Sequence, residues 1–215
     1  MKICFVAWSD FGIGGVPRVL TCLMDALSRK HDVSLYSLKN LPQSGIQGIN
    51  REQIHIYCRE MNLYEKIRRS AADVLVCKTP LFSSALGCRL YAAARYTSGF
   101  KKALTNHLNE HQYDVVIFGS GFEDSLLLAL TKNKLLPSMR ILTWSHASYD
   151  NYFTNMGSFF SRYMKEAIKA YYHRFDEIIV LSDGDEKEFR EKHHLPARRI
   201  YNPNTINPAR KSSLT

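Results

Sequence analysis

The sequence predicts an α/β domain of the Rossmann-like type, with an open, mostly parallel sheet and helices on both faces. Short apolar segments typical of buried strands alternate with longer segments of helical period. Several apolar segments also end directly in glycine or small polar residues. Ligands of such sheets bind outside the carboxyl ends of the strands, so the residues after each strand are the candidate functional positions.

The chain opens with a strand, a glycine loop and a helix. Lys2 to Trp8 is a compact apolar run, followed by the glycine loop at 12–15. From Val16 the apolar residues recur at intervals of three and four, which predicts a helix with Pro17 in its first turn. Residues 32–38 supply a second strand and complete a right-handed βαβ unit.

The alternation continues to the end of the chain. Further strands are predicted at 54–58, 114–118, 140–144, 177–181 and 199–201, and helices at 123–133, 159–173 and 184–194. Within residues 63–108, the segment 73–77 could be either a strand or part of a helix. The spacing from Leu86 to Leu108 predicts helix, interrupted near Gly99.

Residues 1–201 are predicted to form one domain, and residues 202–215 a linker toward a second, C-terminal domain. Two prolines and three asparagines between Asn202 and Pro208 precede a basic, Ser-rich end, a composition typical of linkers.

The composition argues against several classes of protein. The longest apolar run, residues 3–8, is far shorter than the roughly 18 residues that cross a bilayer, and Asp10 follows too early for a secretory leader. We therefore expect a cytoplasmic chain, either free or lying on a membrane. Five cysteines without a Cys-x-x-Cys pair predict reduced thiols. His107 and His111 would share a helix face, but no third ligand is in view, so no metal site is predicted.

The formal charge of +9 is concentrated in residues 61–105, where eight basic residues face two acidic ones. Apolar and aromatic residues are interleaved with these charges: Leu81, Phe82, Leu86, Leu90, Tyr91, Tyr96 and Phe100. A helix with a basic face beside an apolar one can lie at an anionic membrane surface. An ordinary solvated helix face is the alternative, and no nucleic-acid reading motif accompanies the charge.

The glycine loop alone leaves two interpretations open. Gly14 and Gly15 could let backbone N–H groups approach a phosphate at the start of the helix, or could form a tight turn. The dinucleotide-binding fingerprint is not met, because Arg18 occupies the helix and no acidic residue closes the second strand.

Three separated stretches of the chain form a pattern. The first is Gly-Gly-Val-Pro-Arg-Val-Leu at 14–20, the second is Ile-Leu-Thr-Trp-Ser-His at 141–146, and the third runs from Phe175 to Ile206. In this order they resemble glycosyltransferase family four, the retaining sugar transferases with two Rossmann-like domains (GT-B fold), although Pro17 stands at a position that is often acidic in the family. Residues 40–112 carry no resemblance.

The resemblance implies a role for particular residues. It places His146, otherwise a capping or core histidine, beside the transferred sugar, and Gly14 and Gly15 near the donor phosphates or acceptor. The position of Arg18, one turn into the helix behind the glycine loop, leaves two alternatives open, an anion contact and an ordinary solvated helix residue. Four further positions at strand ends could line the cleft or simply cap helices: Gly119, Ser120, Ser145 and Ser182.

The resemblance also implies the reaction. A sugar would pass from a nucleotide-sugar donor to a hydroxyl of a lipid-linked cell-envelope glycan, with retention and without a metal or cofactor. The family's donor-binding residues lie in its second domain, so this chain would be the acceptor-side half and inactive alone. The alternatives are a noncatalytic glycan- or nucleotide-binding subunit and a nucleotide-binding oxidoreductase domain.

Overall fold

The structure is a computed structural model that describes residues 1–8, 14–38, 52–80, 84–119, 122–154 and 159–203. Seven strands form one sheet in the order β3-β2-β1-β4-β5-β6-β7, and every neighbouring pair in it is parallel. The strands are β1 (Lys2–Ala7), β2 (Asp32–Ser37), β3 (Ile54–Cys58), β4 (Val115–Phe118), β5 (Arg140–Trp144), β6 (Glu177–Val180) and β7 (Ala197–Arg199). The predicted Rossmann-like α/β class is confirmed.

Helices connect these strands and cover the sheet. They are α1 (Gly15–Ser28), α2 (Leu63–Lys78), α3 (Ala85–Arg95), α4 (Ser98–His111), α5 (Phe122–Thr131), α6 (Tyr149–Phe153), α7 (Phe159–Tyr171) and α8 (Asp183–His193). Short 3-10 turns at Lys132–Lys134 and Tyr172–Arg174 follow α5 and α7.

The alternation of side chains along β1 divides the apolar interior into two cores. Ile3 and Phe5 pack with Leu20 and Met24 of α1 on one face of the sheet. Cys4 and Val6 point to the other face, whose larger core includes buried residues of α2, α3, α4, α5, α7 and α8. Helices therefore lie on both faces, as a parallel sheet buried on both sides requires.

The structure decides one assignment that the sequence left open and corrects two predicted elements. The segment 73–77, which could have been strand or helix, is helical, within α2. The break predicted near Gly99 lies instead at Tyr96 and Thr97, because the Thr97 hydroxyl caps α4 by accepting the Phe100 N–H at 3.1 Å. The last strand begins at Ala197 rather than Arg199, directly after Pro196, whose carbonyl accepts the N–H of Ile178.

Helix α2 begins with a reciprocal cap that is tied to its surroundings. Asn62 accepts the Glu65 N–H at 2.9 Å, and the Glu65 carboxylate accepts the Asn62 N–H at 3.1 Å. The same carboxylate binds the guanidinium of Arg59 and the hydroxyl of Thr97. The start of α2 is thereby fixed to the end of β3 and to the start of α4.

The outward side of α2 is apolar. Leu63, Ile67 and Val74 recur at helical spacing and are exposed, as are the neighbouring Tyr64 and Leu75, with exposed fractions between 49% and 73%. Glu65 is buried on the opposite side, together with Ala72 and Val76. α2 therefore has apolar residues on its outward side as well as on its buried one, whereas the outward side of a helix is usually polar.

Candidate functional site

The sheet has one switch point, between β1 and β4. From β1 the chain continues to β2 on one side, and from β4 it continues to β5 on the other. The two connections leave in opposite directions, which opens a crevice at the carboxyl ends of this strand pair. Residues that follow β1, β4 and β5 are therefore brought to one edge of the molecule.

The amino terminus of α1 lies at this crevice. Gly14 is extended (φ 167°) and no side chain caps the helix, whose first turn carries no acidic residue. Pro17 has no N–H, and the Arg18 N–H already donates to Gly14 O at 3.3 Å. Gly15 and Val16 are left with first-turn N–H groups that have no partner within the helix, together with the positive end of its dipole.

The two glycines of the crevice serve different purposes. A β-carbon on Gly119 would stand 2.3 Å from Cδ2 of the fully buried Leu20, so any larger residue there would have to displace this side chain between α1 and the end of β4. A β-carbon on Gly15 would meet no atom of the described chain within 4 Å. Packing among the described residues therefore does not explain glycine at position 15, whereas close approach of a ligand would.

His146 lies two residues beyond β5 and joins this end of the sheet. Its Nε2 donates to Gly119 O at 3.1 Å, which places the proton of the neutral ring on Nε2 and leaves Nδ1 as an acceptor. Its ring is parallel to that of Trp144, with centroids 6.0 Å apart. Burial lowers the pKa of His146, against the opposing effect of the Gly119 hydrogen bond, so the ring is neutral at pH 7.

Of the other predicted site residues, two form hydrogen bonds within the fold and one is exposed. Ser145 is buried and donates to Ala147 O at 3.0 Å, while Ser182 caps α8 by accepting the Asp185 N–H at 3.0 Å. Arg18 is exposed in the first turns of α1. Ser120 lies outside the described residues.

A second concavity at the same edge involves residues that were not predicted as site residues. A cavity of about 310 Å³ lies between the ends of β1, β2 and β3 and the side of α2, lined by Trp8, Leu38, Glu60, Met61, Lys66, Arg69 and Ser70. The rule that ligands bind beyond strand ends would have singled out Trp8 and Leu38. Both were instead interpreted only as the last apolar residues of their strands.

No cluster of three or more possible metal ligands occurs among the residues that the structure describes. His107 and His111 are packed together with ring centroids 4.2 Å apart, within a group of tyrosine rings. Along the described segments no helix has the length and apolar character to cross a bilayer.

Comparison with known proteins adds the family. Residues 13–210 match the model of Glycosyltransferase Family 4. Among solved structures, the chain is similar to a crystal structure of a UGT transferase from Siraitia grosvenorii in complex with UDP, with a TM-score of 0.55 and 9% identity. That match covers 96% of this chain and 51% of the other, so the chain spans about half the length of that transferase. No curated protein sequence is significantly similar.

Proposed function

The chain belongs to glycosyltransferase family four, and on that basis we propose that it is the acceptor-side half of a retaining enzyme that transfers a sugar from a nucleotide-sugar donor to a glycan hydroxyl. The observation that carries this proposal is the meeting of His146, Gly119 and the uncapped start of α1 at the β1–β4 crevice. The donor-binding half is supplied by a further segment or a partner chain, in keeping with the half-length match to the solved transferase.

Each part of the crevice has a task in this proposal. The N–H groups of Gly15 and Val16, with Arg18 nearby, face the donor diphosphate and stabilise its charge as it leaves. Nδ1 of the neutral His146 accepts a hydrogen bond from a hydroxyl of the transferred sugar. The bond from the anomeric carbon to the diphosphate breaks, the acceptor oxygen bonds to that carbon on the same face, and the proton of the acceptor hydroxyl passes to the departing diphosphate. No metal or cofactor is part of the proposal.

The test is a transfer assay with a panel of nucleotide sugars. Transfer is expected from the protein that carries both halves, and none from the 215-residue chain alone, which should bind nucleotide sugars only weakly. Multiple turnovers by the chain alone would contradict the half-site. Absence of transfer by the complete protein to any glycan would favour a noncatalytic binding subunit.

The oxidoreductase alternative finds no support at the end of β2. A dinucleotide site uses an acidic residue there to bind the ribose hydroxyls. In this chain the strand ends in Ser37, and the buried Leu38 follows it.

The proposal includes an anionic membrane, on the cytoplasmic side, as the surface on which the acceptor is presented. Its support is the exposed apolar side of α2, the exposed Leu86 and Leu90 of α3, and the exposed Lys78 and Arg89 on the same two helices. α2 and α3 pack together, so these side chains belong to one surface. Each Lys or Arg near an anionic leaflet contributes roughly 1 kcal/mol.

The membrane surface differs in its members from the one that the sequence suggested. Tyr91, Tyr96 and Phe100 are buried, as is the cation Arg95, so they cannot contact lipid. Leu81 and Phe82 lie outside the described residues. Leu63, Tyr64 and Ile67 take the place of the buried aromatic residues.

Vesicle co-sedimentation tests this part of the proposal. The chain is expected to bind phosphatidylglycerol vesicles more strongly than phosphatidylcholine vesicles, and less at high salt. Lys78→Glu with Arg89→Glu should remove the salt-dependent part, and Ile67→Ser with Leu90→Ser the remainder. Lys30→Glu with Lys187→Glu is the control of equal charge change on other surfaces. Equal binding by all four proteins would contradict the membrane surface.

A further inference from the structure

The loop that carries His146 is fixed at both ends. At its start, the Ser145 N–H donates to Ile179 O of β6 at 2.8 Å. At its end, the Tyr149 N–H donates to a carboxylate oxygen of Asp185, in the first turn of α8, at 2.6 Å. Only three residues separate Ser145 from Tyr149, so the backbone at His146 has little freedom while both anchors hold.

Asp185 uses both of its carboxylate oxygens. Oδ1 accepts the Tyr149 N–H, and Oδ2 accepts the Ser182 hydroxyl at 2.7 Å, while the Ser182 oxygen accepts the Asp185 N–H at 3.0 Å. In the usual capping box, the side chain at this third helical position accepts the backbone N–H of its own capping residue. Here Oδ1 turns to the neighbouring helix α6, whose N-cap, Ser148, forms no side-chain cap hydrogen bond. The first N–H of α6 is therefore satisfied by α8.

Aromatic contacts hold α6 against α8. The Tyr149 ring meets the fully buried Phe189 edge to face with centroids 5.7 Å apart, and its hydroxyl lies 3.1 Å from Nε2 of His193. Phe153, at the end of α6, stacks on the His193 ring with centroids 4.0 Å apart. A helix of five residues is too short to be stable alone, so the position of α6 is set by α8.

This anchoring determines where the His146 ring lies. Its Nε2 donates to Gly119 O at 3.1 Å, a contact that requires the loop to stay close to the end of β4. If the Tyr149 N–H were released, the loop could move away from β4, and the ring would lose both the Gly119 hydrogen bond and its burial. A displacement of about 1 Å at a reacting group can lower a rate about a hundredfold.

We propose that Asp185 is a positioning residue of the transferase, which fixes the His146 loop from α8 and so keeps the His146 ring on Gly119 with Nδ1 open to the transferred sugar. The inference rests on the proposed function, in which His146 contacts that sugar. Asp185 acts only through His146 and does not itself contact the substrate.

The first experiment observes the His146 ring in the 215-residue chain itself. ¹H–¹⁵N correlation spectra of histidine rings report the tautomer and the pKa, and His146→Gln identifies the signals. In the parent we expect the proton of the neutral ring on Nε2 and a pKa below 6.5. Asp185→Ala should raise this pKa toward 6.5 and mix the two tautomers, because the ring leaves its buried position. Loss of a carboxylate by charge alone would lower the pKa of a histidine, so the direction of the shift separates the two effects.

Matched variants separate position from charge. Asp185→Asn keeps an oxygen that can accept the Tyr149 N–H, so it should preserve the parent titration. Asp183→Ala removes a carboxylate from the same turn of α8 that pairs with Arg199 instead, and it should neither raise the His146 pKa nor change the tautomer.

Thermal melts establish that each variant is folded. If Asp185→Ala does not fold, Asp185→Glu takes its place, because it keeps the charge and the usual capping pattern of α8. Its longer side chain moves the carboxylate oxygens away from the Tyr149 N–H, so it should shift the His146 titration in the same direction as alanine.

The second experiment measures transfer by the protein that carries both halves. Asp185→Ala should lower kcat about tenfold or more with KM little changed, and Asp185→Asn should stay within about threefold of the parent. In a His146→Ala background, Asp185→Ala should have almost no further effect on kcat, since a positioning residue acts through the residue that it positions.

The inference is overturned if folded Asp185→Ala and Asp185→Glu proteins titrate as the parent does, if Asp183→Ala causes the same rise in pKa, or if Asp185→Ala and His146→Ala lower kcat independently. A complete protein that transfers no sugar would instead contradict the proposed transferase. The titration of His146 in the chain alone would still decide whether Asp185 anchors the loop.

Discussion

The hydrogen bond from His146 to Gly119 makes the role of this histidine testable. In the protein that carries both halves, His146→Ala is expected to lower turnover about a hundredfold, the usual cost of losing one well-placed polar contact to reacting groups. The thermal midpoint should change little, because the ring contributes little to the core. Steady-state rates decide the matter, and activity within about a factor of two of the parent would assign His146 a structural role.

The pH dependence of the same enzyme follows from the protonation of His146. Burial holds the pKa of its ring below the usual 6.5, so the ring remains an acceptor at pH 7 and loses Nδ1 to a proton only in more acidic solution. We therefore expect kcat/KM to fall with decreasing pH below pH 6.5, which gives the pH profile an acid limb. His146→Gln keeps an amide donor for Gly119 and does not titrate, so it should remove that limb.

Gly15 and Gly119 are expected to respond differently to alanine. Gly119→Ala should destabilise the fold by about 1 to 3 kcal/mol, because the buried Leu20 has little room to move. Gly15→Ala should leave stability within about 1 kcal/mol, since alanine favours helix, but should weaken UDP binding. Urea titrations and UDP titrations on both variants test the contrast, and equal effects on stability would contradict it.

Positions directly after strands were sufficient to nominate His146 and Gly119, which the structure brings into contact. Arg69 was counted only as part of a basic segment, because its neighbour Trp8 is 61 residues away in the sequence. The side of α2 that is turned inward includes Glu65, which is buried and paired with the partly exposed Arg59. Such pairing is not visible in the helical period of α2.

Removing the cap at the start of α2 is expected to lower the free energy of unfolding by a measurable amount. Burial alone would raise the pKa of Glu65, but Arg59, Thr97 and the Asn62 N–H together lower it. Glu65→Gln leaves Arg59 without its counter-charge, so a loss of about 2 to 3 kcal/mol is expected, below the fully buried range because Arg59 is partly exposed. Glu110→Gln, at an exposed position, is the control.

The same pair predicts how the difference depends on pH. A carboxylate with a lowered pKa contributes stability that is present above its usual value of 4.5 and is lost as the pH falls through the folded-state value. The difference in the free energy of unfolding between the parent and Glu65→Gln should therefore be largest at pH 7 and smaller in acid. A difference that is independent of pH would mean that the substitution acts through packing rather than charge.

Strands were predicted more closely than helix ends. The strands predicted at 54–58 and 140–144 coincide with β3 and β5, although β3 contains the exposed His55 and β5 begins at the exposed Arg140. α6 was not predicted, since five residues do not establish a period. Thr97 rather than Gly99 marks the start of α4 because a hydroxyl cap acts through one hydrogen bond, which apolar spacing does not reveal.

Acid is expected to destabilise the molecule through a histidine packed between sheet and helix. His107 of α4 contacts the rings of Tyr36 and Tyr57, and burial, with the nearby His111, lowers its pKa to about 4. The unfolded chain binds that proton near pH 6.5 and the folded one only near 4, so stability falls as the pH drops between these values. A phenylalanine at position 107 should reduce the fall seen in urea titrations.

The control for this experiment is His173→Gln, at an exposed position, which should retain the full acid sensitivity of the parent. An unchanged pH dependence in His107→Phe would show that other groups control the acid response.

The fold class followed from the alternation of strands and helices, and the chain order alone placed β1 beside β2. β1 lies beside β4 because the chain returns past β2 and β1 after β3 before it forms β4. This reversal is typical of Rossmann-like sheets, and no single segment of the sequence predicts it. The second domain and the linker at 202–215 remain predictions, because the described residues end at 203.

Helix α2 turns its buried side, with Glu65, Ala72 and Val76, toward the domain and its apolar side toward the surroundings. An acceptor anchored in a bilayer beneath that apolar side would search for the β1–β4 crevice in two dimensions rather than three. Its effective concentration would then be set by lipid density, and not by its amount in bulk water. Weak intrinsic affinity for the acceptor would be enough to occupy the crevice, and rapid release of the elongated product would follow from the same weak binding.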